Sequence, residues 1–312
     1  MGLILAFVRV LFLTLLLVWF ADAGANNGYR VFNVKKFGAV SDGKTENSKA
    51  FLKAWTEACR WHGRAMVLIP RGVYILDSVL FLGECNGYMA FILKGVLKPK
   101  RSLQTCDQWI TFRYIKGFLL GGGGTVDGEG YKYWNRITET RVHPKREGQS
   151  YKINQQPERP RVTLRLYSLE ARTFIFLKSN AAPGMESVLG SMGGKGSLTE
   201  SVVGVTVKDC TFNGTSDGAR IKTWASSTTG FASNFIYENI RMMNVGNPII
   251  IDQDYCPYPP CDMKNPSRIQ IKDITFNNIW GTSESDVAVT LNCSRTVPCK
   301  NIRLKDINLV PW

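Results

Sequence analysis

One strand-like motif recurs four times in the C-terminal third of this 312-residue chain, and it constrains the fold more than any other feature. In each copy apolar and polar residues alternate over eight positions, and successive copies begin 30 to 34 residues apart. The copies are residues 205–212, 235–242, 269–276 and 302–309. Alternation is typical of a strand with one buried face, and stacked units of this kind bury a core that no single unit could bury. We therefore predict an all-β fold, a right-handed parallel β-helix.

Two local signals refine this architecture. A polar residue stands at the fifth position of each copy, and we expect all four to occupy the same turn of successive coils. They are Asp209, Asn239, Asp273 and Asp306. Near the N-terminus, the apolar residues of 50–58 recur at helical spacing, which predicts a helix with Thr45 as its N-cap. This capping helix would cover the open end of the β-helix core.

The first residues predict export from the cell. An apolar run at 10–20 follows Arg9, and Ala21-Asp22-Ala23 has the small-x-small pattern of a signal-peptidase site. We predict a signal peptide at 1–23 and a secreted single β-helix domain at 24–312, with no stable membrane insertion after cleavage. A membrane anchor is the alternative, because residues 2–8 are also mostly apolar.

Charge and cysteine usage bear on the partner and the compartment. The chain has 39 Lys and Arg against 25 Asp and Glu, a net charge of +14, which favours an acidic partner. Its two His and the absence of Cys-x-x-Cys argue against a metal or haem site, so we expect no cofactor. An even number of Cys in an oxidising compartment predicts disulfides. The candidate disulfides are Cys59 with Cys85, Cys256 with Cys261 and Cys293 with Cys299, and the candidate glycosylation sites are Asn213 and Asn292.

Five stretches, in the same order along the chain, resemble the plant polygalacturonases of glycoside hydrolase family 28. They are residues 32–45, 67–72, 124–130, 218–224 and 247–256. The resemblance implies a secreted protein of the cell wall with the pectin lyase-like β-helix, acting as a monomer on pectin, a polymer of galacturonic acid. This anionic substrate agrees with the positive charge. The signal peptide and the lack of a recognition motif argue against nucleic acid as the partner.

The catalytic groups implied by the resemblance are missing. Such enzymes hydrolyse with inversion, using carboxyl groups about 6.5 to 9.5 Å apart that come from Asn-Thr-Asp and Asp-Asp motifs, and a Gly-His-Gly motif supports the acid. None of these motifs is present, and Met185 and Glu186 stand where the His and the following Gly are expected. Residues 136–200 are therefore expected to form irregular or partially deleted coils. Asp217 is a weak catalytic candidate, because its position favours a turn role.

The binding groups implied by the resemblance are present. Arg220 and Lys222 alternate on one predicted strand, so both should project to the same face, where the family holds galacturonate carboxylates. Tyr255 matches a family tyrosine beside the scissile sugar. Three interpretations stay open: a polygalacturonase that hydrolyses 1,4-α-galacturonosyl bonds, a catalytically inactive pectin-binding cell-wall protein, and a truncated gene product.

Overall fold

The computed structural model describes residues 28–100, 109–129, 162–167, 171–177, 180–182, 185–194, 199–256 and 265–312, with the backbone alone for all of those from 162 to 191. The predicted signal peptide lies outside these residues. Within them, no helix is long and apolar enough to cross a bilayer.

The described strands wind into coils with three faces, and every strand pairing is parallel. The first face contains β1 Arg30–Asn33, β3 Ala65–Ile69, β6 Met89–Leu93, β9 Phe118–Gly121, β12 Ala171–Leu177 and β15 Thr199–Lys208. The second face contains β2 Asp42–Glu46, β4 Val73–Leu76, β7 Val96–Pro99, β10 Thr125–Asp127, β13 Asn180–Ala182 and β16 Thr211–Asn213. Three long strands cross both faces, β18 Thr229–Val245, β20 Arg268–Ser283 and β22 Lys300–Pro311.

The third face is a separate sheet of seven strands among the described residues. Its order along the solenoid follows the chain, because each coil contributes one strand. The strands are β5 Val79–Leu82, β8 Ile110–Arg113, β11 Val162–Tyr167, β14 Met185–Met192, β17 Asp217–Trp224, β19 Asn247–Tyr255 and β21 Val289–Asn292. This arrangement confirms the predicted parallel β-helix. The described strands between 162 and 192 pair within it, and whether coils are missing from 136–200 stays a prediction.

An N-terminal helix covers one end of the core, as predicted. Helix α1, Ser48–Cys59, buries its apolar stripe, and the Trp55 indole Nε1 donates to the carbonyl oxygen of Leu82 at 2.7 Å. The Trp55 ring packs 5.1 Å from Phe81 and 5.5 Å from Phe112, measured between centroids. The prediction of Thr45 as the N-cap was wrong. Thr45 lies in β2, where its hydroxyl donates to Asp42, and the N-cap position belongs to Asn47.

Residues in the left-handed backbone conformation line up at the corner between the first two faces. Asp209, Asn239, Asn278 and Asp306 have φ between 52° and 55° and occupy equivalent positions of successive coils. The Asn239 amide donates to Asp209 at 3.0 Å, and the Asn278 amide donates to Asn239 at 2.9 Å. Short polar side chains tolerate this conformation and bond along the stack.

The expected turn position of Asp273 was wrong. Asp273 belongs to a second row, in which it accepts from the Asn301 amide at 2.7 Å, whereas Asn278 occupies the place that Asp273 was expected to take. Strand β20 carries two polar turn residues five positions apart, so its alternating pattern fits two registers. Packing decides between them, because Ile274 stacks between Phe235 and Ile302 in the core.

Candidate functional site

Strand β17 carries two buried cations on its outward face. Ala219 and Ile221 are fully buried in the core, so the alternate residues Arg220 and Lys222 point away from it. Although they face outward, Arg220 is only 6% exposed and Lys222 only 1%. Charged side chains are rarely this buried unless neighbouring groups compensate the charge. The neighbours of these two residues therefore define the site.

Two carboxylates hold the Arg220 guanidinium. Its Nη1 lies 2.7 Å from Oδ2 of Asp217, and its Nη2 lies 3.6 Å from Oδ2 of Asp252 on the adjacent strand β19. The other oxygen of Asp217 accepts from the Asn247 amide at 2.9 Å. Both carboxylate oxygens of Asp217 are thus acceptors for neighbouring donors, an arrangement that fixes the orientation of Arg220. The geometry favours a positioning role for Asp217, and catalysis by this residue stays untested.

Gly218 allows Asp217 to reach this position. A Cβ atom at residue 218 would lie 2.5 Å from the carbonyl oxygen of Pro248, so no larger residue fits without moving β17 away from β19. The close approach keeps Asp217 in register with Asn247, which donates to it. Glycine in a strand interior often marks such an approach of two backbones.

Tyr255 joins the site through an irregularity in β19. Lys222 pairs with Asp252, but Trp224, two residues later, pairs with Tyr255, three residues later, so β19 contains one extra residue. Ile251 and Gln253 are buried inside the coil, and regular alternation would turn Tyr255 inward with them. The extra residue instead turns it outward, as β-bulges commonly do beside functional sites.

The Tyr255 ring covers both cations. Lys222 Nζ lies 4.2 Å and Arg220 Cζ 5.2 Å from the ring centroid, distances at which the ring's negative face attracts a cation. Trp224 packs edge-on against the ring at 5.0 Å. The structure therefore brings together Asp217, Arg220, Lys222 and Tyr255, all four of the candidates for catalysis and substrate binding.

Asp252 also belongs to the site, and the sequence analysis did not single it out. Its Oδ1 accepts from the Asn292 amide at 3.4 Å and from the backbone N–H of Asp254 at 3.1 Å, while its Oδ2 faces Arg220. The only sequence signal is alternation, which puts Asp252 on the same side of its strand as Ile250. Which residue of β17 stands beside it depends on the register between strands.

Carboxylates are unevenly distributed over the third sheet. Its first three strands, β5, β8 and β11, contain neither Asp nor Glu. The other strands contain Glu186, whose side chain lies outside the description, and Asp217, Asp252 and Asp254. Two of these, Asp217 and Asp252, contact Arg220. The described part of the sheet thus concentrates its acids around the guanidinium.

The remaining predicted sites lie away from this centre or at its edge. The structure contains the predicted disulfides Cys59–Cys85 and Cys293–Cys299, and Cys256 is disulfide-bonded although Cys261 lies outside the described residues. Both glycosylation candidates are exposed. Asn213 is on the second face, and Asn292 ends β21 next to Asp252.

Comparison with known sequences identifies the family. The family model for glycosyl hydrolases family 28 matches residues 59–176 and 170–311, most of the chain. The chain belongs to glycoside hydrolase family 28. It is 31% identical to the exopolygalacturonase of Platanus acerifolia, with 92% of each protein aligned, and 33% identical to the polygalacturonase of Brassica napus, over 89% of this chain and 85% of that protein. It is 29% identical to the polygalacturonase of Gossypium hirsutum, over 97% of this chain and 88% of the relative.

This member of family 28 is shorter than its Platanus acerifolia relative inside the aligned region. That alignment extends over 349 positions, more than the 312 residues of the chain, so at least 37 positions have no counterpart here. The two segments matched by the family model meet at residues 170–176, inside the 136–200 interval where the sequence predicts partially deleted coils.

Proposed function

We propose that the protein binds polygalacturonate, the anionic backbone of pectin, through Arg220, Lys222 and Tyr255. The observation that carries this proposal is a guanidinium and an ammonium on one outward face, both against a single tyrosine ring. Arg220 is held by Asp217, so its planar fork is already oriented before a carboxylate arrives. Membership of family 28 supports pectin as the polymer, and the net charge of +14 supports a polyanion.

We further propose that binding occurs without hydrolysis. A glycosidase of this type needs one carboxyl that gives a proton to the leaving oxygen and another that activates water. Asp217 already accepts hydrogen bonds on both oxygens, and Met185 at the expected position of the family histidine cannot transfer a proton. The first three strands of the third sheet supply no acid. These observations favour a protein that retains the sugar-binding half of the site.

Hydrolysis is the second candidate function. It is supported by family membership and by the two carboxylates, Asp217 and Asp252, that face the same guanidinium. Asp217 and Asp252 are the acids to test first, because they are the carboxylates that contact Arg220 in the described part of the sheet. This alternative predicts that the protein releases reducing ends from polygalacturonate, whereas the proposal of an inactive binding protein predicts no release.

Binding tests the first proposal. We expect Arg220→Gln and Lys222→Gln each to weaken binding to polygalacturonate about tenfold or more, because each removes a charge-assisted hydrogen bond worth about 1.5 to 3 kcal/mol. Lys305→Gln is the matched control, because it removes one positive charge from an exposed side chain on β22. Calorimetry on the full chain measures the affinities, and circular dichroism verifies folding. Equal affinities for all three variants would contradict the proposed site.

A reducing-sugar assay tests the second proposal. We expect the wild-type protein to release no reducing ends from polygalacturonate under conditions in which it binds the polymer. Release that disappears in Asp217→Asn, while binding is retained, would establish hydrolysis and overturn the proposal of an inactive protein. Asp254→Asn is the control, since Asp254 shares the sheet and contacts Asp252 through its backbone N–H.

We also propose that the protein is exported and acts in the cell wall as a monomer. The apolar run at 10–20, the Ala-x-Ala pattern and five disulfide-bonded cysteines in an even set of Cys support an oxidising extracellular compartment. A truncated gene product stays open as an origin of the short central region. Sequencing the transcript across residues 150–200 tests it, because an exon-skipped message would coexist with a longer one.

A further inference from the structure

A network of buried polar side chains lies behind the site, on the inner side of the strands that carry it. Its members Thr223, Gln253, Ser267 and Ser294 are at most 2% exposed. The Thr223 hydroxyl donates to the Ser267 hydroxyl at 2.7 Å, and the Ser294 hydroxyl donates to the backbone carbonyl of Ser267 at 2.7 Å. Buried polar groups that satisfy one another fix the backbone segments to which they belong.

Gln253 joins strand β19 to this network. Its amide Nε2 donates to the backbone carbonyl of Ile269 at 2.8 Å, and its Oε1 accepts from the backbone N–H of Ser294 at 3.0 Å. Ile269 belongs to β20, and Ser294 lies in the loop that follows β21. One side chain thus ties β19 to two later segments of the chain through both ends of its amide.

A disulfide closes the loop that presents the Ser294 N–H. Cys293 and Cys299 are bonded to each other on either side of Ser294, and the Cys299 sulfur lies 3.4 Å from Oε1 of Gln253. Within this loop the backbone N–H of Val297 donates to the Ser294 hydroxyl at 3.4 Å. A short closed loop has few conformations, so the Gln253 oxygen meets a donor that is already in place.

The extra residue of β19 directly follows Gln253. The backbone N–H of Asp254 donates to Oδ1 of Asp252 at 3.1 Å, a side chain of its own strand. A regular strand would pair Trp224 with Asp254 and turn Tyr255 inward, whereas the observed strand pairs Trp224 with Tyr255. The two arrangements differ by one residue of register, and alternation by itself favours the regular one. An anchor on the inner side, just before the extra residue, fixes the point at which that residue is accommodated.

We propose that Gln253 is a positioning residue that acts on polygalacturonate binding through Tyr255. Its hydrogen bonds to Ile269 and to the disulfide-closed loop keep the extra residue at position 254, so that the Tyr255 ring stays against Lys222. Removing the amide leaves a buried carbonyl and a buried N–H without this partner, which favours a rearrangement of the strand end. The proposal rests on the proposed binding function and names a residue behind the site that supports it.

NMR measures the position of the Tyr255 ring without any ligand. Protein that is isotope-labelled at the lysine Cε atoms gives a signal for each lysine, and Lys222→Gln identifies that of Lys222. The ring displaces this signal, because Lys222 Nζ lies 4.2 Å from the ring centroid. Gln253→Met keeps the length of the side chain and removes its amide. We expect it to move the Lys222 signal toward the position found in Tyr255→Leu.

Gln270→Met is the matched control. The Gln270 amide donates to the carbonyl oxygen of Pro298 at 2.8 Å, so it contacts the same disulfide-closed loop from β20 rather than from β19. We expect this variant to leave the Lys222 signal in its wild-type position. The melting temperature verifies that each variant is folded.

Calorimetry with polygalacturonate then relates the ring to binding. We expect Gln253→Met to weaken binding about tenfold in the wild-type protein, but less than about twofold in the Tyr255→Leu background, because the effect passes through the ring. Should Gln253→Met fail to fold, Cys293→Ser combined with Cys299→Ser opens the loop while keeping Gln253. That variant should move the Lys222 signal in the same direction.

Two results would overturn the inference while leaving the main site intact. One is a Lys222 signal that stays unmoved in the folded variant, or that moves equally in Gln270→Met. The other is an equal loss of affinity from Gln253→Met in both backgrounds. A wild-type protein that binds no polygalacturonate would instead contradict the proposed function, whereas a displaced Lys222 signal would still establish that Gln253 positions Tyr255.

Discussion

At the scale of single residues, the site depends on charges that are buried yet compensated. Arg220 is oriented by Asp217 and Asp252, and Lys222 lies against Tyr255. Removing one partner of a buried ion pair leaves an uncompensated charge, which costs far more than an exposed pair contributes. Asp217 therefore has a structural role whether or not the protein is an enzyme.

Asp42 gives a residue-scale prediction about pH. The backbone N–H groups of Thr45 and Lys44, and then the Thr45 hydroxyl, donate to its carboxylate and lower its pKa from 3.8 to about 2. A carboxyl with a lowered pKa stabilises the fold above its ordinary pKa, and this contribution disappears as pH falls from about 4 through about 2. An NMR titration of the Asp42 carboxyl measures the shift.

Thr45→Val provides the internal control for Asp42. It removes the hydroxyl donor but keeps the backbone N–H of residue 45, so the pKa of Asp42 should rise and still stay below 3.8. An ordinary pKa for Asp42 in the wild-type protein would contradict the hydrogen bonds that Lys44 and Thr45 donate to it at the start of β2.

At the scale of elements, a strand irregularity and a helix complete what the repeats begin. The extra residue in β19 turns Tyr255 outward toward Lys222, and α1 covers the first coil with Trp55. The extra residue sets the direction of one side chain, which regular alternation would turn inward. The helix covers the end of the core, which the strands alone would leave exposed.

The capping helix predicts a large effect on stability. Trp55→Ala should lower the free energy of unfolding by about 3 to 5 kcal/mol, because the indole packs on three core phenylalanines and donates to Leu82. Lys53→Ala, on the exposed side of the same helix, should change it by less than about 0.5 kcal/mol. Urea denaturation followed by tryptophan fluorescence and circular dichroism compares them. Similar losses in both variants would show that α1 does not seal the core.

At the scale of the whole molecule, net charge is spread over the chain while the cations of the site lie on one face. The +14 net charge attracts a polyanion from any direction, but Arg220 and Lys222 lie together on one of the three faces. Long-range attraction then contributes to encounter, and Arg220 and Lys222 contribute to specific binding at the site.

Salt should therefore weaken binding of polygalacturonate. We expect the affinity to fall steeply as ionic strength rises through about 0.15 M, where the Debye length is about 8 Å. A methyl-esterified polymer, whose carboxylates are neutral, should bind weakly at every salt concentration. Calorimetry with both polymers measures the difference. Salt-independent binding, or equal affinity for the esterified polymer, would contradict recognition through carboxylates.

The sequence by itself determined the parallel β-helix, the capping helix and the shared face of Arg220 and Lys222. These depend on local periodicity, because alternation within one strand is readable from neighbouring residues. The tertiary structure alone decided which turn Asp273 occupies, that Tyr255 faces the cations, and that Asp252 lies beside Lys222. Each of these depends on register between strands that lie 30 or more residues apart in the chain, and that register is set by core packing and one extra residue rather than by the pattern of any single strand.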